Sequence, residues 1–248
     1  FRISRGGRAT IPLARCRITS GSGGDVQDIE VLDTPWTLDP SPPPLRVLTL
    51  QPDISPRRRS PAFLLAGFQE ENRQLSFSDP ETLLLNLRDI LLQYDPDILL
   101  TAWGDTWLIS HLLELSALTG LPLPLNRDEK REIIQRPERT FFSYGRVMYR
   151  GPKKMLSGRL HIDIYNAVMF HDYGLEGVLE MARVTGLPIQ RASRVSPGTG
   201  ISAMQMQKAL EEKVLIPWHK QQAERPKSAY TLLQTDKGGM VYQPLIGL

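Results

Sequence analysis

The stretch that most constrains this chain runs over residues 78–120, where helix signals, a short apolar run and a second set of helix signals follow one another without a gap. Asp79-Pro80-Glu81 opens it. Asp can accept from the free N–H groups of a first turn, Pro is pre-set for that turn, and Glu suits the positive end of the helix dipole. Leu83, Leu84, Leu87, Ile90 and Leu91 then recur at helical spacing. Asp95-Pro96-Asp97 stops that helix, because Pro excludes the helical conformation from the residue before it, and Ile98-Leu99-Leu100-Thr101-Ala102 predicts a covered, parallel strand. Trp103-Gly104-Asp105 predicts a turn in which Asp105 can cap the next helix, and Leu108, Leu112, Leu115 and Leu118 carry a second apolar face to a stop at Gly120. A helix-strand-helix unit of this kind predicts an α/β sheet with helices packed on its faces.

With 248 residues, 41% of them apolar and 23% charged, the chain can bury a sizeable core as one main domain with an appendage. A formal charge of +3 permits contact with nucleic acid without requiring it. The single Cys16 excludes an internal disulfide framework and fits a reducing compartment. No run is long or apolar enough to span a membrane, and no secretory leader is visible. The chain starts at Phe1 without Met and ends on Gly247-Leu248 after a loop-like stretch, so a piece of something longer is expected.

Arg2, Arg5, Arg8, Arg15 and Arg17, with no acid among the first twenty residues, predict short strands with basic outer faces. The proline-rich residues 39–44 form a stiff connector and the best domain boundary. Residues 45–50 read as a strand at the centre of the sheet, ending in Gln51-Pro52-Asp53. Arg57-Arg58-Arg59 follows in a loop, as a solvated cluster or a phosphate contact. Residues 62–68 and 74–77 predict a hairpin, 121–125 an exposed extended link, and 140–150 a second hairpin. In the strand 158–165, His161 and Asp163 share a face as a hydrogen-bonded pair beside the sheet rather than a metal pair. Residues 175–184 and 201–212 predict helices, the second with Met204, Met206 and Ala209 in the core.

In this order, several segments resemble the exonuclease domain of family B DNA polymerases. Asp95-Pro-Asp-Ile-Leu-Leu-Thr-Ala-Trp-Gly-Asp105 is similar to the family's second exonuclease segment, and Gly158-Arg-Leu-His-Ile-Asp-Ile-Tyr165 to the strand after its hairpin insertion. Ile216-Pro-Trp-His-Lys220, Lys227-Ser228 and the run from Asp236 to Leu248 resemble the linker that enters the polymerase palm. The resemblance implies a ribonuclease H-like mixed sheet flanked by helices. It divides the chain into a β appendage at 1–43, an exonuclease-like domain with a β-hairpin insertion at 44–212, and a linker at 213–248 leading to a palm not included here.

Proofreading in that family uses two divalent metals held by four carboxylates, which neutralise the attacking and leaving oxygens. Where the family has Asp-x-Glu this chain has Gln51-Pro52-Asp53, and where it has Asn followed by Phe-Asp the stretch from Gly104 to Leu108 offers only Asp105, out of register. From Met181 to Leu210, where a third acid belongs, there is no Asp or Glu. The resemblance therefore implies a degenerate exonuclease with no cofactor, acting as a scaffold and DNA-binding domain. The alternative is an active 3′–5′ proofreading exonuclease holding Mg²⁺ on Asp53 and Asp105, with acids such as Asp163 or Asp172 moving in to complete the site. The implied partners are primer-template or single-stranded DNA and the palm of the same parent chain, with no membrane and a cytoplasmic location, nucleoid-associated if the source is bacterial or archaeal. Lys220, Arg225, Lys227 and Lys237, with the backbone N–H groups of Gly238 and Gly239, are the expected nucleic-acid contacts.

Overall fold

The computed structural model describes residues 16–20, 26–32, 36–38, 40, 44–143, 145–216 and 228–235. The first described elements are a two-stranded antiparallel pair, β1 (Cys16–Ser20) and β2 (Val26–Val31). Beyond it, β3 (Val47–Pro52) alternates in burial, with Leu48 and Leu50 fully covered and Val47, Thr49 and Gln51 turned to the other face. β4 (Phe63–Phe68) and β5 (Glu71–Ser76) follow as antiparallel neighbours on one side of β3. α1 (Pro80–Gln93) begins where Asp79 accepts from the Thr82 N–H at 3.2 Å and buries Leu83, Leu84, Leu87, Ile90 and Leu91. β6 (Ile98–Thr101) then enters parallel to β3 on its other side, as its apolar run predicts.

A π-helical turn over Gly104–Leu108 leads into α2 (Ile109–Thr119), which ends at Gly120 with φ 70°. The excursion that follows holds β7 (Ile134–Arg136), the hairpin β8 (Arg139–Ser143) and β9 (Arg146–Arg150), and β10 (Lys153–Met155), which pairs with β7. β11 (Leu160–Asp163) closes the main sheet, parallel to β6. The order β11-β6-β3-β4-β5, with β3, β6 and β11 parallel and β4 reversed, is the ribonuclease H-like arrangement.

Two apolar cores cover opposite faces. On one, Leu48, Leu50, Leu64 and Leu99 meet α1 and α2. On the other, Ile98 and Ile162 meet α3 (Phe170–Thr185) and α4 (Ile189–Ala192). This second cover reaches β6 and β11 but leaves the same face of β4 open, where Leu65 stays 41% exposed. α5 (Pro197–Glu211) packs on α3 so closely that a Cβ at Gly200 would lie 2.9 Å from Thr185 Cγ2. The chain divides into two compact units, Phe1–Lys208 and Ala209–Leu248; the second contains α6 (Ala229–Thr235). Among the described residues no helix is long and apolar enough to cross a membrane.

Two expectations are corrected here. The 121–125 segment is not an exposed link: Leu125 is buried and Leu121 and Leu123 pack against the first core, because alternate leucines turn inward while the prolines between them keep the chain extended. Met206 is exposed and α5 buries only Gly200 fully, so its methionines are not core.

Candidate functional site

The acids on which a metal-dependent site would be built stand near the C-terminal ends of β3, β6 and β11, and each is already engaged. Asp105 is buried, yet it caps no helix: the turn it enters begins at Trp103, whose carbonyl accepts from Trp107 and Leu108. Its Oδ1 accepts from the Lys154 N–H at 2.7 Å and Arg194 Nη2 at 3.0 Å, and its Oδ2 accepts from Arg194 Nε at 2.7 Å and Asn166 Nδ2 at 2.7 Å. Four donors on two oxygens use the lone pairs a cation would need. Burial pushes the Asp105 carboxyl up, but the bidentate Arg194 and its charge outweigh that and hold it below the ordinary carboxylate range.

His161 sits beside this pair with no exposure. Its Nδ1 lies 2.6 Å from the Lys154 carbonyl and must carry the proton, so Nε2, 2.8 Å from Thr101 Oγ1, accepts from that hydroxyl. Burial, then the Arg194 charge, lowers its pKa to about 4, so the ring is neutral. Asp163 does not bond His161, contrary to the pairing expected from the strand alternation. Its Oδ2 accepts from the Asp105 N–H at 2.9 Å and its Oδ1 from the Tyr165 N–H at 3.0 Å. Burial raises its pKa to about 6, with the Asp105 charge adding to it and the two N–H donors opposing it. Gly104 is the hinge of the corner. A Cβ there would fall 1.9 Å from Thr101 Oγ1 and 2.4 Å from His161 Nε2, so no larger residue has room.

The remaining acid, Asp53, accepts through Oδ1 from the Ala62 and Phe63 N–H groups at 3.0 and 3.2 Å, closing the loop that joins β3 to β4. Gln51 points to the face of Val47 and Thr49, whereas the in-register alternation sends Thr101, His161 and Asp163 to the opposite one. Gln51, Asp53 and Asp105 therefore do not converge. Among the described residues no group of three His, Cys, Asp or Glu side chains could hold a metal ion. This donor set does not fit Mg²⁺, which takes carboxylate oxygens with free lone pairs.

A search of protein-family models finds none that matches, and no curated protein matches the sequence. The fold does match a solved structure, the family B DNA polymerase from the hyperthermophilic archaeon Pyrobaculum calidifontis, with a TM-score of 0.54 and 16% identity. The likeness covers 88% of this chain, which spans 36% of that polymerase. At this identity it is the fold that is shared.

Sequence reading missed Arg194, Lys154, Asn166 and Thr101. One signal pointed to Arg194: it stands in the acid-free stretch from Met181 to Leu210, so a buried arginine there has to find its carboxylate in another segment. A second feature emerges from packing. The β8–β9 hairpin is exposed along both strands wherever its burial is described and carries Arg139, Phe141, Phe142, Arg146, Tyr149 and Arg150, with Arg150 5.1 Å over the Phe141 ring. The loop of Arg57, Arg58 and Arg59 is exposed too, and the Arg57 charge is felt at the Tyr149 hydroxyl, which itself donates to Glu138 at 2.6 Å. Lys220, Arg225, Lys227, Lys237, Gly238 and Gly239 lie outside the described residues.

Proposed function

We propose that this chain is the exonuclease-like domain of a family B DNA polymerase that has lost its metal site, and that it serves as a scaffold and DNA-contact domain in replication or repair. The observation that carries this reading is the saturation of Asp105: both oxygens are taken, two of their four bonds by a fixed buried guanidinium. In-line phosphodiester cleavage needs a metal to generate hydroxide and a metal to stabilise the leaving oxygen, and neither has carboxylates to hold it. The parent chain would bring the polymerase palm, and the work would be done in the cytoplasm, on the nucleoid if the source is bacterial or archaeal.

DNA contact is supported by one face of the hairpin, where Arg139, Arg146 and Arg150 accompany Phe141, and by the exposed Arg57–Arg59 loop. Lys220, Arg225, Lys227 and Lys237, with Gly238 and Gly239 in the C-terminal linker, are a second, separate set of proposed DNA contacts. The test is release of mononucleotides from a labelled 3′ single-stranded end with Mg²⁺ or Mn²⁺, beside an Asp53→Ala, Asp105→Ala variant that exposes contaminating nuclease. No release is expected. Metal-dependent release that disappears in the double variant would establish a working exonuclease instead.

A further inference from the structure

Lys154 gives its main-chain N–H to Asp105, but its side chain leaves that corner and enters a separate polar cluster. It stands directly opposite Gln135 in the β7–β10 pair, so the two side chains share a face. On that face Lys154 Nζ lies 2.5 Å from Ser110 Oγ, in the first turn of α2, and 2.9 Å from Gln135 Oε1. Lys154 is only 6% exposed, yet among the described residues no carboxylate bonds its amine. Ser110 is half-buried, and among the described residues its hydroxyl has no other partner. Ser116 and Thr119 on the same helix spend their protons on the Leu121 and Leu115 carbonyls. As an ammonium Lys154 donates to Ser110; as an amine it accepts the serine proton. Burial holds Lys154 below the ordinary lysine value, against the charges of Asp105 and Glu114, the acids that face it. Gln135 also lines a cleft of about 660 Å³, within the roughly 300–1,000 Å³ range of small-ligand sites, whose walls include Leu92, Leu113, Leu123 and Ile133. Leu113 follows Ser110 by one turn on the same face of α2.

We propose that Ser110 is an acyl-accepting nucleophile, with Lys154 as its general base and Gln135 positioning that base, and that it acts on aryl esters or thioesters of apolar acids. A hydroxyl within reach of a base that a third group holds in place is the arrangement that activates a serine. Ser110 Oγ bonds to the carbonyl carbon and its proton passes to Lys154 Nζ. The C–O or C–S bond breaks, and the departing aryloxide or thiolate takes up the proton that Lys154 received. Water then adds to the acyl group on Ser110 and gives a proton to Lys154, which returns it to Ser110 Oγ as the acid leaves. The sum is ester plus water to acid plus phenol or thiol. Aryl and thiol groups depart without being protonated first, which suits a site whose one titratable partner is a base. The leucine-lined cleft takes the acyl chain. This chemistry does not rest on the DNA-contact reading, and either can fail without the other.

The experiment follows p-nitrophenyl butyrate hydrolysis by the 248-residue chain and its labelling by a fluorophosphonate, with the labelled residue located by mass spectrometry. The label is expected on Ser110, and both rates should rise with pH as Lys154 loses its proton. Ser110→Ala should lose both. Lys154→Met keeps the buried stem and the N–H on Asp105, and should slow labelling about a hundredfold. Gln135→Leu, at an exposed position, should slow it by a smaller factor and move the pH midpoint down, because the Gln135 oxygen accepts from the ammonium. Circular dichroism shows which variants fold; if Lys154→Met does not, Gln135→Leu decides. A folded chain that takes no label on Ser110 would overturn the proposal. So would labelling whose rate and pH midpoint are unchanged in Gln135→Leu, since Ser110 would then be an ordinary accessible hydroxyl.

Discussion

Replacing Asp163 with Asn should uncover a pH dependence that the native protein conceals. His161 has its pKa lowered from 6.5 to about 4, so between those values the folded state binds fewer protons than the unfolded one, and stability falls as pH drops through that window. Asp163 has its pKa raised from 3.8 to about 6, so between those values the folded state binds more protons, and stability falls as pH rises. A tenfold change in proton affinity is about 1.4 kcal/mol, which makes each contribution about 3 kcal/mol over its full window and about 2 kcal/mol between roughly pH 4.5 and 6.5. The signs are opposite and the windows overlap, so the two nearly cancel. Asp105 stays out of this range, because its pKa is lowered and its contribution is lost only below the ordinary carboxylate value. Urea unfolding followed by tryptophan fluorescence should therefore give a nearly flat stability between those two pH values for the native chain. Asp163→Asn should lose about 2 kcal/mol on acidification over the same interval. His161→Gln should gain a similar amount. A native chain that itself loses about 2 kcal/mol, with Asp163→Asn no steeper, would refute the compensation.

Arg194→Met should destabilise the fold by about 3–5 kcal/mol, since it strands the buried Asp105 charge, and adding Asp105→Leu should recover part of the loss. Gly104→Asn should lower the thermal midpoint steeply, because the new Cβ meets Thr101 and His161 on neighbouring strands rather than the tip of a flexible side chain. Arg159→Met should loosen the opposite end of the sheet. Its side chain is 3% exposed and donates to the Pro96, Pro124 and Leu125 carbonyls as well as to Asp95, so faster amide exchange is expected around residues 95–98 and 124–126. Removing Arg57, Arg58 and Arg59 together should flatten the salt dependence of single-strand binding by about two to three ions, read from titrations at several ionic strengths.

How much could be read in advance follows from where each signal is stored. The α1–β6–α2 unit was legible because its caps, its stop at Asp95-Pro96 and its leucine spacing are local, and Asp79, Gly120 and the parallel β6 appear as those signals demand. The hairpin at 139–150 was legible for the same reason. The corner around Asp105 was not. Its decisive bond joins residues 89 apart in the chain, and nothing near Asp105 announces a guanidinium. Asp105 before an apolar helix looks like a cap, yet the π-helical turn draws its N–H to Asp163 and its carboxylate inward. His161 and Asp163 share a strand face as the alternation requires, but alternation fixes direction and not partner: one ring goes to Thr101 and Lys154, and the other side chain to two backbone N–H groups.

The guanidinium does for Asp105 one part of what a metal does for a carboxylate, and omits the rest. It neutralises the charge, which is why a buried acid can stay ionised here. A cation that also drives hydrolysis must keep coordination positions for water and for a phosphate oxygen. Arg194 has none to offer: it is a set of fixed donors, and its remaining N–H groups reach the His161 and Gln190 carbonyls. With Asn166 and the Lys154 N–H filling the other lone pairs of Asp105, that carboxylate has no oxygen left to contribute. Pairing with Arg194 and binding of a cation compete for the same lone pairs of Asp105, and the contacts that pin β10, β11 and the chain after α4 together are those that occupy them.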